Sequence, residues 1–296
     1  MIIIDKEKGF TSHDVVAKMR GICGQKKIGH TGTLDPMATG VLPICLGKGT
    51  GVCSILSESD KIYQGTIRLG IKTDTLDITG AILREEEILC SEQEIREAIL
   101  SFIGKQEQIP PMYSALKIKG EKLCDLARKG ITIDRKSRKI EIYNIEILQI
   151  KLPEVEFEVS CSKGTYIRSL CDDIGEKLGC LGCLSRLRRI KAAGFSIDQA
   201  ITLSQLQQRK EEGTLDEVII PIDSVFLHLP KLIAKESCSK LLYNGNWLMD
   251  ECIHEHSLPN DTEQFRIYDE EMQFAGIYEY SEQKNEYKPV KLFMVR

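Results

Sequence analysis

The stretch GHTGTLDPMATGVLP, from Gly29 to Pro43, carries one carboxylate, Asp35, among glycines, threonines and apolar residues. An acid in apolar surroundings is costly unless it is paired or put to use. Pro36 biases Asp35 towards extended backbone and so aims its carboxylate. Gly32 and Gly40 permit tight turns and the close approach of a ligand. An acid held in this way can be a nucleophile, a general base or a metal ligand. A turn-forming Asp bonded to its own backbone has the same spacing. His30 stands five residues before the acid.

Two other groups of residues could carry chemistry. Cys180 and Cys183, in CLGC, have metal-like spacing, but a structural zinc site needs four ligands and no second CxxC exists. His254 and His256 are distant and tightly spaced. The eleven cysteines are odd in number and scattered, so reduced, buried thiols are expected rather than a disulfide framework. The second group is basic. From Lys117 to Lys139 there are nine Lys/Arg against three Asp/Glu, and from Leu178 to Ile197 four basic residues and no acid. Residues 229–296 hold eight basic and twelve acidic residues, which accounts for the whole net charge of -4. Local patches, not net charge, attract phosphates.

The elements that must position these residues can be read from periodicity. III at 2–4 reads as a buried strand. In TSHDVVAKMRG, Thr11 or Ser12 can cap a helix with Val15 and Met19 on one face, ending near Gly21. KIYQGTIRLG (61–70) sets Tyr63, Gly65, Ile67 and Leu69 on one side of a strand. Ser91 and Glu94 form a capping box for a helix stopped by Gly104, and Thr202 with Gln205 starts another. IPPMYSALKIKGEKLCDLARKG (109–130) breaks at its Pro-Pro pair and continues as a basic amphipathic arm. KIEIYNIEILQIKL (139–152) is a strand with a bulge near Tyr143–Asn144. VEFEVSC (155–161) alternates, with Val155, Phe157, Val159 and Cys161 inward. Beyond FLHLPKL (226–232) the charge balance changes, and turn signals such as NGN and LPND indicate a small β-rich module. Strands and helices interspersed without βαβ periodicity indicate an α+β chain with a mixed sheet. No GxGxxG or P-loop follows a strand and no HExxH occurs, so neither a nucleotide cofactor nor a metal is expected. No run approaches the roughly 18 apolar residues of a membrane span, and the first residues lack the pattern of a signal peptide; a cytoplasmic protein is the expectation.

Read together, DKEKGFTSHDVVAKMR, KKIGHTGTLDPMATGVLPICLGKGT, KIYQGTIRLGIKTDTLDITG, IPPMYSALKIKGEKL, CSKGTYIRSLCDDIG and LSRLRRIKAAGF fall in an order that resembles the TruB family of tRNA pseudouridine synthases. The resemblance covers about residues 1–210. It implies a mixed, largely antiparallel sheet flanked by helices, with an RNA-binding cleft, over residues 1–228. It also implies a basic arm at about 106–137 and a small β-rich, PUA-like module over 229–296. It implies isomerisation of uridine 55 in the tRNA T loop with base flipping, no cofactor, no metal, no obligate protein partner, and a monomer. Carried over by motif, the essential aspartate is Asp35, the base-contacting tyrosine Tyr63, and the arginine that pairs with the acid Arg168. Tyr166 and Leu187 line the substrate, and His30 helps to hold the displaced nucleotide. Position 7 is Glu where the family usually has Pro.

Elementary chemistry agrees with these roles. Turning an N-glycoside into a C-glycoside transfers no electrons to an outside carrier. One carboxylate can serve by attack on the sugar, by addition to the base or by proton abstraction. A cation beside Asp35 would keep it ionised, and Tyr63 offers a stacking face for an extruded base. A protein that only binds and folds tRNA would have no need of Asp35.

Overall fold

The structure, a computed structural model, describes residues 1–118, 120–254 and 263–294. The LPND turn and His256 lie outside the described residues. A nine-stranded mixed sheet forms the centre. Its main path runs Ile2–Lys6, Thr39–Leu46, Gly182–Ala192, Lys61–Leu69, Glu154–Cys161, Arg138–Lys151, Gly104–Gln108. Ile28–His30 pairs with the second strand of that path and Phe195–Ser196 with the third. Thr39–Leu46 and Gly182–Ala192 run parallel, and the other pairs are antiparallel.

Most of the expected periodicities hold. Ile2, Ile3 and Ile4 are buried on the first strand. Thr11 caps the helix Ser12–Cys23, which buries Val15 and Met19. That helix passes Gly21 and ends at Gly24, whose φ of 63° supplies the left-handed cap. The Ser91–Glu94 capping box starts Glu92–Leu100, and Gly104 opens the next strand rather than stopping the helix. Arg138–Lys151 has register shifts between Ile142 and Asn144, where the phase of the apolar residues changes, and between Ile147 and Gln149. Gln106 to Gln108 belong to the sheet. The basic arm therefore leaves the body at Ile109, with a two-strand hairpin (Lys117–Ile118 and Glu121–Lys122) and the short helix Leu123–Arg128.

The described residues between 231 and 294 include a five-stranded curled sheet with its own core around Leu248, Phe265, Tyr278 and Tyr287. A second apolar cluster joins it to the body: Met1, Cys45, Val52, Leu56 and Phe226 pack with Ile277, Phe274 and Phe293. One expectation is corrected here. Cys238 and Cys252 form a disulfide, Cα–Cα 5.7 Å. Fourteen residues apart, they are brought together by the folding of the small module, which the scatter of cysteines in the sequence does not convey. Cys180 and Cys183 are buried free thiols. Among the described residues no helix is long and apolar enough to cross a membrane.

Candidate active site

The acid loop, residues 31–38, is fastened from several sides. Leu34 N donates to Ser12 Oγ (2.9 Å), which donates back to Leu34 O (3.3 Å). Gly9 N donates to Pro36 O (2.8 Å), and Ala38 N closes the turn on Asp35 O (3.1 Å). Lys6 is fully buried, with Nζ bonded to Phe10 O (2.6 Å) and Glu7 O (3.0 Å) and reaching Pro36 O (3.5 Å). Burial brings its ammonium down to about 8, with the Asp35 charge pulling the other way. Arg189, also buried, donates Nη2 to Gly32 O (3.1 Å) and Nε to Val41 O (2.8 Å). These bonds satisfy the backbone of a segment that belongs to no ladder. Gly40 has φ 103°, and a Cβ there would stand 2.2 Å from Arg189 O. Its freedom thus serves the close approach of two strands, not of a ligand.

Asp35 projects from this loop against Arg168, the second residue of the helix Ile167–Leu178. Arg168 Nε lies 2.9 Å from Asp35 Oδ2, and Nη2 lies 3.3 Å from Oδ1. The same guanidinium donates Nη1 to Thr75 O (3.0 Å) and Nη2 to Tyr113 O (2.6 Å), and Asp77 Oδ2 stands 3.8 Å away. One buried cation therefore ties together the acid loop, the turn after Ile71–Thr73, the arm and its own helix. Burial raises the Asp35 carboxyl above the ordinary carboxylate value, Arg168 lowers it, and Asp77 raises it further; burial prevails. Arg168 thus favours the charged form, as a neighbouring cation should, but offsets only part of the cost of burial.

Asp35 borders a cavity of about 330 Å³ whose walls include Tyr63, Tyr166, Leu187, Arg168 and Arg189. That size suits a small ligand or a single nucleotide. The register explains the wall: Arg189 lies opposite Tyr63, and Leu187 opposite Gly65, on neighbouring strands. Tyr166 caps the Arg168 helix. Its N–H donates to Gln108 Oε1 (2.8 Å) and its C=O accepts from Gln108 Nε2 (3.1 Å). Burial pushes both phenols up, opposed at Tyr63 by Arg189 and at Tyr166 by Ser114. Both therefore keep their protons at neutral pH. A second cavity, of about 610 Å³, meets the first at Asp35 and opens towards Met37, Thr75 and Arg128.

Five of the six residues singled out in the sequence thus share one cavity. His30 is not among its walls. Its ring packs edge-on against His13 (5.5 Å between centroids), and Nδ1 accepts from Gly32 N (3.3 Å) at the foot of the acid loop. Burial, then His13 and Arg189, bring its imidazole down to about 4. Arg189, Lys6, Tyr113 and Ser114 are not among those six. Arg189 was within reach, since it stands two residues after Leu187 on a strand and so shares its face. The others are placed by chain crossings that no local pattern announces.

The chain matches the N-terminal domain of the TruB family of pseudouridylate synthases over residues 20–167. It matches the tRNA pseudouridylate synthase B C-terminal domain over residues 168–227. It belongs to the TruB family. Among its relatives, tRNA pseudouridine synthase B of Lachnoclostridium phytofermentans is 45% identical over 99% of both chains. The protein of that name from Alkaliphilus oremlandii is 51% identical over 84% of both. Of solved structures, a chain of a Cbf5–Nop10–Gar1 complex is 30% identical, with a TM-score of 0.71 over all of this chain and 85% of that one. A chain of an H/ACA RNP bound to a substrate RNA containing 2′-deoxyuridine is 27% identical, with a TM-score of 0.70 over the same shares. This TruB-family chain is accordingly a pseudouridine-producing isomerase with the mixed-sheet synthase fold and a C-terminal β-sheet module.

Proposed function

We propose that this enzyme converts uridine 55 in the T loop of tRNA to pseudouridine. The target base leaves its stack, and Asp35 is the essential acid. The observation that carries this reading is the loop acid held by a buried arginine at the edge of a nucleotide-sized cavity walled by two tyrosines and a leucine. The names of the relatives support tRNA as the substrate.

The reaction breaks N1–C1′, forms C5–C1′, moves a proton from C5 and leaves a proton on N1. Atoms and electrons balance within the nucleotide. Asp35 is at hand to act on C1′ or on the base, or to accept the C5 proton. Arg168 holds the carboxylate in one orientation and favours its charged form. Tyr63 and Tyr166 offer faces for the ring, and their retained protons are available for hydrogen bonding. Leu187 keeps water from the site, and His30 supports the loop from which the displaced nucleotide is held. The basic residues of the arm and of Arg186–Lys191 attract backbone phosphates and carry little sequence information.

We read residues 1–228 as the catalytic unit and 229–296 as a PUA-like module that adds a few contacts to whole tRNA. We read the enzyme as acting as a monomer without an obligate protein partner. The test is incubation with an unmodified tRNA transcript and mapping of pseudouridine by position. A single product at position 55 is expected. Product elsewhere, or none, would contradict the assignment.

A further inference from the structure

Ser114 sits on the arm, and its side chain lines both cavities that meet at Asp35. It is 5% exposed, and its Oγ stands beside the Tyr166 phenol without a well-formed hydrogen bond to it or to another described residue. A buried hydroxyl without a partner is costly, and native proteins keep few of them. Its backbone is not free to adjust: Ser114 N donates to Met112 O (2.9 Å), and Ser114 O accepts from Cys124 N (3.1 Å). The preceding carbonyl, Tyr113 O, accepts from Arg168, the residue that grips Asp35. The hydroxyl is thus buried on a fixed backbone, beside Tyr166, at the wall that both cavities share.

We infer that the Ser114 hydroxyl donates a hydrogen bond to a carbonyl oxygen of the uracil, delivered by the arm as it closes on the acid site. This rests on the proposed uridine isomerisation and names a substrate contact within it. The symmetry of the base makes a donor suitable there. For C5 to take the place of N1, the detached ring makes a half-turn about its N3–C6 line. That turn exchanges N1 with C5 and O2 with O4. A donor aimed at one carbonyl before the turn meets the other carbonyl after it. Ser114 therefore holds the base in both halves of the reaction.

The test compares Ser114→Ala with the wild-type enzyme in single-turnover reactions on three tRNA transcripts. These carry uridine, 4-thiouridine or 2-thiouridine at the target, and are followed long enough to measure slow rates. Melting temperature and tRNA affinity are measured alongside, the first expected to be no lower than that of the wild type, since alanine leaves no buried hydroxyl unsatisfied. On uridine the variant should be slower by about tenfold, the loss of one hydrogen bond to substrate. Sulfur accepts hydrogen bonds weakly, so on at least one thio-substrate the loss should shrink to about twofold or less. Ser114→Thr, which keeps the donor, should recover most of the rate on uridine. An alanine variant as fast as wild type on uridine would overturn the inference, and so would equal losses on all three substrates. If wild-type enzyme makes no pseudouridine at all, it is the proposed function that fails.

Discussion

Arg168 grips both carboxylate oxygens of Asp35, at 2.9 and 3.3 Å, while donating to the carbonyls of Thr75 and Tyr113. The loop acid is thus positioned by a cation that is itself positioned by two distant segments. Removing the guanidinium should therefore cost more than a charge. Arg168→Met should slow the single-turnover rate by about 10²-fold or more, on the scale of losing one preorganised electrostatic contact. It should also move the acidic limb of the pH–rate profile upward, because Arg168 lowers the Asp35 carboxyl that burial raises. Rates measured across the acidic range check both. An unchanged limb would show that Arg168 does not set the state of the acid.

His30 should stay neutral across the physiological range. Its imidazole is brought down to about 4, chiefly by burial. The sign follows from linkage: the unfolded chain takes up the proton near 6.5, the folded chain only near 4. Stability due to this residue is present above about 6.5 and is lost as pH falls through 4. Imidazole chemical shifts followed by NMR should show no titration of His30 between pH 5 and 8. His30→Ala should flatten the loss of stability at low pH.

The module from residue 231 onward should unfold together with the body. Phe226 is buried between Phe274 (6.2 Å) and Phe293 (6.0 Å), which belong to that module. Phe226→Ala should destabilise the protein by about 3–5 kcal/mol, as other Phe→Ala changes in cores do. Thermal melting of the wild type should show one transition, and the variant should show either a lower one or two separate ones. Truncation at 228 would expose Met1, Val52 and Leu56, so the first 228 residues alone should be far less stable than the sequence boundary implies.

The arm from 109 to 137 should exchange its amide hydrogens faster in the free protein than in the tRNA complex. Its hairpin has two pairs and its helix six residues, so its own ladder is small. Protection on adding tRNA should extend from Tyr113 to Arg128. Equal exchange in both states would remove the arm from the account of substrate binding.

Two central strands were legible in the sequence because their apolar residues alternate. Tyr63, Gly65, Ile67 and Leu69 all fall inward, as do Val155, Phe157, Val159 and Cys161. Asp35, Arg168, Tyr63, Tyr166 and Leu187 stood out in the sequence because each lies in a long motif, and they line one cavity. Other features depend on contacts between residues far apart. Lys6 reaches Pro36 across thirty residues and Arg189 reaches Gly32 across 157. Lysine and arginine read as surface charge until the carbonyls they satisfy are seen. The Cys238–Cys252 bond and the Phe226 cluster were hidden for the same reason.

The most direct test of the central claim is the Asp35→Asn variant in single turnover on unmodified tRNA, with affinity measured in parallel. The fold should survive. Arg168 keeps the carbonyls of Thr75 and Tyr113, and an asparagine oxygen can still accept from it. Removing the acid also removes a group whose ionisation opposes folding: stability from its protonated form is present at low pH and lost as pH rises through its raised value. Binding of tRNA should therefore match that of the wild type, while pseudouridine at position 55 is absent. Pseudouridine formed there at the wild-type rate would contradict the account.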